Sequence, residues 1–276
     1  MRVRVCKSAK REQAGFQSIG PRGLWGNSLV SLRGLFLYNT GMTAEEKASV
    51  ACFIDVASDM VRGGYFRGER EYNFSDEPDA VGSFDSLDEI AAALKNCKAC
   101  RLCETRKNAV PGEGAQSPLV MVIGEAPGAE EDASGRPFVG KAGQLLDKML
   151  GSINLSRETN CFIANIVKCR PPENRDPQPD EIAACAGFLE SQIQTLNPRF
   201  ILCVGRLSSQ ALLNSTEPIG KLRGRFMDCK IAGMTIPLIA TYHPSALLRN
   251  EDYKRPAWDD LKMLRAALGS SESGAT

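Results

Sequence analysis

Ten cysteines and a single histidine carry most of the reactive chemistry in this 276-residue chain. Three of the cysteines fall in CKACRLC, at 97, 100 and 103, a strict three-residue spacing. Two thiols bridge only where geometry allows, and three leave one over, so the stretch suggests a metal more than a disulfide. No apolar signal core precedes these residues, and scattered cysteines in otherwise enzyme-like sequence favour a reducing cytoplasm. The histidine, His243, lies in TYHPSALLR. Two other polar groups stand out against apolar surroundings: Glu125, just after PLVMVIG, and Asn165, inside CFIANIV.

The elements that must position these groups begin near residue 117. PLVMVIG, CFIANIV, RFILCVG and TIPLIATY read as buried strands. Between them lie the helical patterns AGQLLDKMLGSI, PDEIAACAGFLESQIQTL and RLSSQALL, with AWDDLKMLRAAL after the last strand. Strands alternating with helices predict an α/β fold: three layers, αβα, around a mostly parallel four-stranded sheet. Ligands of such sheets bind in the crevice at the carboxyl ends of the strands. Three strand ends here deliver a carboxylate, a carboxamide and an imidazole to that edge.

Each residue also has a plainer reading. Glu125 could be a solvated loop acid, Asn165 a turn cap, His243 a satisfied loop histidine and Phe138 core. The Gly-rich loop after the first strand has neither the G-x-G-x-x-G order nor a GK[ST] ending, so by itself it is a weak phosphate signal. Co-location at one edge is what favours a site.

Composition sets the outer bounds. Hydrophobic residues at 43% and charged residues at 24% suit a globular protein with a full core. No apolar run approaches the ~20 residues of a membrane span. A net charge of +1 excludes a strongly basic coat protein but not a DNA scanner making a few phosphate contacts. Residues 1–41 hold seven Lys/Arg and one acid, and are expected to be a disordered extension or a start assigned too far upstream. Met42 opens a leading helix that Thr43 and Glu46 can cap, and residues 64–86 form a linker, so 42–89 is helix plus linker. Residues 269–276 are a tail.

The motifs GEAPGAEEDASGRPFVGKAG, NIVKCRPPENRDP and HPSALLR, in that order after a CxxC, resemble the family 4 uracil-DNA glycosylases, the iron–sulfur branch of that superfamily. The resemblance spans residues 90–268 and implies a uracil-DNA glycosylase-like fold. It implies a 4Fe–4S cluster on Cys97, Cys100, Cys169 and Cys185, where the chemistry of four thiolates alone would make a closed zinc site the default. Fifteen residues separate the second pair, Cys103 is left over, and Cys161 and Cys203 read as core thiols.

The resemblance also implies the chemistry. Uracil is flipped from DNA, single- or double-stranded, because its glycosidic bond is shielded inside the stack. Asn165 reads the base edge, since one acceptor and two donors match uracil and mismatch cytosine twice. Phe138 stacks on the ring, the backbones of Gly124, Glu125 and Ala126 contact it, and His243 donates to the developing O2 anion. Ala126 stands where better-known glycosylases carry an aspartate, so Glu125 is the expected base or cation stabiliser, with Glu131 and Asp132 in reserve. Leu247 and Leu248 could wedge into the vacated stack, and Arg249 with KLRGR at 221–225 could meet phosphates. The product is free uracil and an abasic site, made by a monomer with no membrane partner. Competing readings are a variant that traps uracil covalently, a non-catalytic iron–sulfur DNA-binding module, and a nucleotide-binding α/β protein with structural zinc.

Overall fold

A computed structural model of the chain describes residue 84 and residues 86–272. The expectations for residues 1–41, for the Thr43–Glu46 helix start and for most of the linker lie outside the described residues.

The first helix, α1 (Leu87–Asn96), starts at Ser86, whose Oγ accepts from the Glu89 N–H at 3.2 Å. The CKACRLC stretch follows it, with a 3-10 turn at Arg101–Glu104. A two-residue strand, β1 (Glu113–Gly114), precedes β2 (Val120–Gly124), α2 (Ala129–Ser134) and α3 (Lys141–Gly151). Then come β3 (Cys161–Asn165), α4 (Pro179–Leu196), β4 (Phe200–Val204), α5 (Arg206–Leu212) and α6 (Ile219–Leu222). The last described elements are β5 (Phe226–Ile231), β6 (Met234–Thr241), α7 (Pro244–Arg249) and α8 (Lys254–Glu272).

The strand order is β1-β3-β2-β4-β6-β5. The four expected strands are β2, β3, β4 and β6, and they form the parallel centre of the sheet. The expectation of a four-stranded sheet is corrected at its edges: β1 and β5 add antiparallel strands, giving a mixed sheet of six. All five residues of β2, β3 and β4 are buried, which requires cover on both faces.

Alternate residues supply that cover with contacts, as the period-2 pleat demands. Met121, Ile123, Ile201 and Cys203 join one core with Ile90 and Leu94 of α1, Leu189 and Ile193 of α4 and Leu207 of α5. Val120, Val122, Leu202 and Val204 join the other with Leu146 and Leu150 of α3 and Leu261 and Leu264 of α8. Two cores on opposite faces of one sheet are the three-layer architecture. Cys161 and Cys203 are fully buried within it, as core thiols.

Candidate active site

At the carboxyl edge, β2 and β3 run in parallel register with Gly124 paired to Asn165. The pairing continues past both strands, where Ile166 N–H donates to Gly124 O at 3.0 Å and Val167 N–H to Glu125 O at 3.2 Å. This edge opens into a cavity of about 460 Å³, lined among others by Glu125, Ala126, Phe138, Asn165, Arg206 and His243. The strand ends predicted to converge do converge.

Asn165 is 1% exposed, and its Oδ1 is buried with no hydrogen-bond partner. Leaving such an acceptor unpaired costs roughly 1–3 kcal/mol, so the site holds a group ready for a donor from a ligand. Gly124 is why it fits. A Cβ there would collide with both Asn165 Oδ1 and the Phe138 ring, so only glycine lets the three meet.

Phe138 is 6% exposed and has φ +52°, a left-handed backbone that a bulky residue adopts only when its surroundings enforce it. Such a conformation costs on the order of 1–3 kcal/mol. Its ring centroid lies 5.7 Å from that of His243.

His243 caps α7. The Ser245 N–H donates to His243 Nδ1 at 3.1 Å, and Ser245 Oγ lies 2.8 Å from the same nitrogen. Burial, helped by the Arg249 charge and opposed by Glu131, pulls the imidazole down to about 4. Half-buried Glu125 moves the other way: desolvation and nearby Asp176 push it up to about 7, against the pull of Arg206. Arg206 and Asp176 form a 2.6 Å ion pair in the cavity wall.

The two reserve acids have structural partners. Glu131 lines the cavity, but its Oε1 accepts from the N–H groups of Val139 and Gly140 at 2.9 and 3.0 Å, and its Oε2 from Gly128 N–H at 3.1 Å. Asp132 is 2% exposed and accepts from the N–H groups of Lys107 and Asn108. Both carboxylates therefore staple loops.

The two leucines part company. Leu247 is 3% exposed and packs in the core beside α3 and α8, which corrects the expectation that it meets DNA. Leu248 is 52% exposed and free to do so. Arg249 is exposed and lines the cavity.

The four cysteines expected to hold a cluster also come together. The thiols of Cys97, Cys100, Cys169 and Cys185 lie near enough to perturb one another electrostatically. Burial pushes Cys185 up to about 12, and Cys100 and Cys169 also rise for the same reason. Arg106 Nη1 donates to Cys169 Sγ at 2.9 Å, and the Lys168 N–H reaches Cys185 Sγ at 3.4 Å. Among the described residues, no group of three or more His, Cys, Asp or Glu side chains is placed to hold a single metal ion.

Lys168 links Asn165 to the Cys185 thiol and is absent from the sequence reading. It is fully buried, and its Nζ donates to Asn165 O at 2.8 Å and to Gln192 Oε1 at 2.6 Å. A lysine inside the apolar run CFIANIVKC was the available signal. Ser245, Arg206 and Asp176 were also missed, since nothing in their local sequence marks them.

Comparison with known proteins agrees with this geometry. The sequence model of the uracil DNA glycosylase superfamily matches residues 111–262. The chain is 46% identical over 191 residues to a type-4 uracil-DNA glycosylase of Saccharolobus solfataricus, covering 67% of this chain and 88% of the relative. It is 45% identical to one from Pyrobaculum aerophilum, over 64% of this chain and 92% of the relative, and 40% identical to one from Thermotoga maritima, over 65% and 93%. A type-5 enzyme of Pyrobaculum aerophilum is more distant, at 30%. On shared motifs, fold and extent of match, the chain belongs to the uracil DNA glycosylase superfamily, among the type-4 enzymes.

Proposed function

We propose that this protein excises uracil from DNA by hydrolysing its N-glycosidic bond, releasing the free base and leaving an abasic site. The observation that carries the residue assignment is the orphan Oδ1 of Asn165, buried in the wall of the cavity that His243 and Phe138 also line. Uracil N3–H would satisfy that acceptor, while cytosine presents a lone pair there and an amino group where uracil has O4. A buried mismatch of that kind can give ~10⁴-fold rejection.

The flipped base lies against Phe138, with the backbone of Gly124, Glu125 and Ala126 along the ring. The C1′–N1 bond breaks and its electron pair leaves with the base. His243 then donates from Nε2 to O2, where the negative charge gathers, a contribution of roughly 10²–10³ in rate. Water adds to C1′ and yields its proton to Glu125, whose raised pKa suits a base working near neutral pH. Exposed Leu248 fills the gap in the stack, and Arg249 meets a phosphate.

The four thiols supply the all-sulfur donor set that an iron–sulfur cluster takes, and the family resemblance favours that cluster over a zinc ion. The N–H groups reaching Cys169 and Cys185 are the donors expected around bound thiolates. A cluster held there would cross-link the 97–103 stretch, the 166–178 loop and α4. We assign the catalytic unit to residues 90–268, working as a monomer in the cytoplasm. No helix among the described residues is long and apolar enough to cross a membrane.

The test is release of free uracil from a labelled oligonucleotide. Asn165→Ala should lose most activity while keeping its fold. Activity within a few-fold of the unaltered protein would remove the role given to Asn165.

A further inference from the structure

Arg157 sits in the connection between α3 and β3, outside the cavity, with a side chain only 8% exposed. Its guanidinium is fully committed. Nη1 donates to Pro137 O at 2.9 Å and Nη2 to Phe138 O at 3.0 Å. Nε and Nη2 donate to Asp147 Oδ1 at 3.0 and 2.7 Å, and Nη1 reaches Glu113 Oε1 at 2.7 Å. One planar cation thus ties β1, α3 and the loop that carries Phe138.

The bond to Phe138 O falls on a residue whose backbone is left-handed. Helix α3 also backs directly onto the same carbonyl, since a Cβ on Gly143 would collide with it. The Phe138 backbone is therefore held in an unfavourable conformation by the Arg157 fork and by the close approach of α3. Release of either lets the peptide relax toward ordinary φ, which turns the ring away from its place beside Gly124 and His243.

We propose that Arg157 is a positioning residue for the aromatic wall, setting the affinity of the cavity for a planar pyrimidine. This rests on the reading of Phe138 as the surface on which uracil stacks. A lysine cannot replace it, because a single ammonium does not span two carbonyls and two carboxylates.

The experiment measures inhibition by free uracil, KM and kcat on uracil-containing DNA, and affinity for abasic DNA. Arg157→Lys should weaken free-uracil inhibition and raise KM about tenfold, the lower range of a lost stacking contact, with kcat and abasic-DNA affinity changing much less. Asp147→Asn, which loosens the guanidinium without removing it, should move the same quantities by less, and serves if Arg157→Lys folds poorly. In a Phe138→Ala background neither change should weaken uracil binding further. If Phe138→Ala weakens uracil but Arg157→Lys adds its full effect on top, the positioning role is wrong and stacking stands. If Phe138→Ala leaves uracil inhibition unchanged, the stacking reading fails and takes this inference with it. Equal losses in uracil and abasic-DNA affinity would make Arg157 merely structural.

Discussion

The backbone N–H of Ser245 donates to His243 Nδ1 at 3.1 Å, and this fixes the imidazole tautomer. A backbone N–H can only donate, so Nδ1 must accept and the ring proton sits on Nε2. With the pKa drawn down to about 4, the ring stays neutral through the working range and offers one N–H. A neutral donor stabilises a forming anion through its hydrogen bond and keeps its own proton. The chain has one histidine, so a single imidazole titrates in its NMR spectrum. Its midpoint is expected well below the usual 6.5, near 4, and a midpoint at 6 or above would contradict the burial. His243→Ala should lower kcat by about 10²–10³-fold.

As the proposed base, Glu125 should set the pH dependence. Its pKa is raised to about 7, so it is protonated below that pH and available as a base above it. The kcat/KM profile should rise through an acid limb centred near 7 and then level off. His243 cannot supply that limb, because its own transition lies about three units lower. Glu125→Gln should lower the plateau and abolish the limb together. A limb that persists in that variant would point to another group.

Gly124→Ala tests the packing of the wall against the base reader. The added methyl collides with Asn165 Oδ1 and the Phe138 ring, and both must move. Displacements near 1 Å at reacting groups can cost on the order of 10²-fold in rate. The loss should appear in kcat/KM, with a lowered melting temperature beside it, because the methyl is forced into buried packing. Near-normal activity would mean that Phe138 and Asn165 need not be held so close.

Much of this was legible in the sequence because the central strands are covered on both faces and so read as unbroken apolar runs. The edge strands escaped for physical reasons. β1 is two residues long, too short for any period, and β5 alternates exposed Asp228 and Lys230 with buried Cys229 and Ile231 at the sheet margin. Asn165 and His243 were visible as polar groups at the ends of apolar strands. Arg157 was not, since its partners Glu113 and Phe138 lie 44 and 19 residues away. The Leu247–Leu248 pair could not be resolved either, because which of two adjacent residues faces inward depends on how α7 packs.

The cysteines give the last prediction. Four thiolates are needed to hold a cluster of four irons, and CKACRLC offers three candidates beside Cys169 and Cys185. Cys97 and Cys100 pack at the edge of the core that contains Cys169 and Cys185, and Arg106 draws the two segments together by donating both to Cys97 O at 2.9 Å and to Cys169 Sγ at 2.9 Å. Cys103 lies in the following 3-10 turn, close enough for its charge to be felt by Cys100, but it is not part of that packing. Metal-binding energy is folding energy at such sites, so Cys97→Ser, Cys100→Ser, Cys169→Ser or Cys185→Ser should lose bound iron, brown colour and much of the soluble protein. Cys103→Ser should retain all three, together with uracil release. Iron per chain across the five variants is the measurement. Loss of iron in Cys103→Ser, with retention in Cys97→Ser or Cys100→Ser, would transfer the ligand role to Cys103.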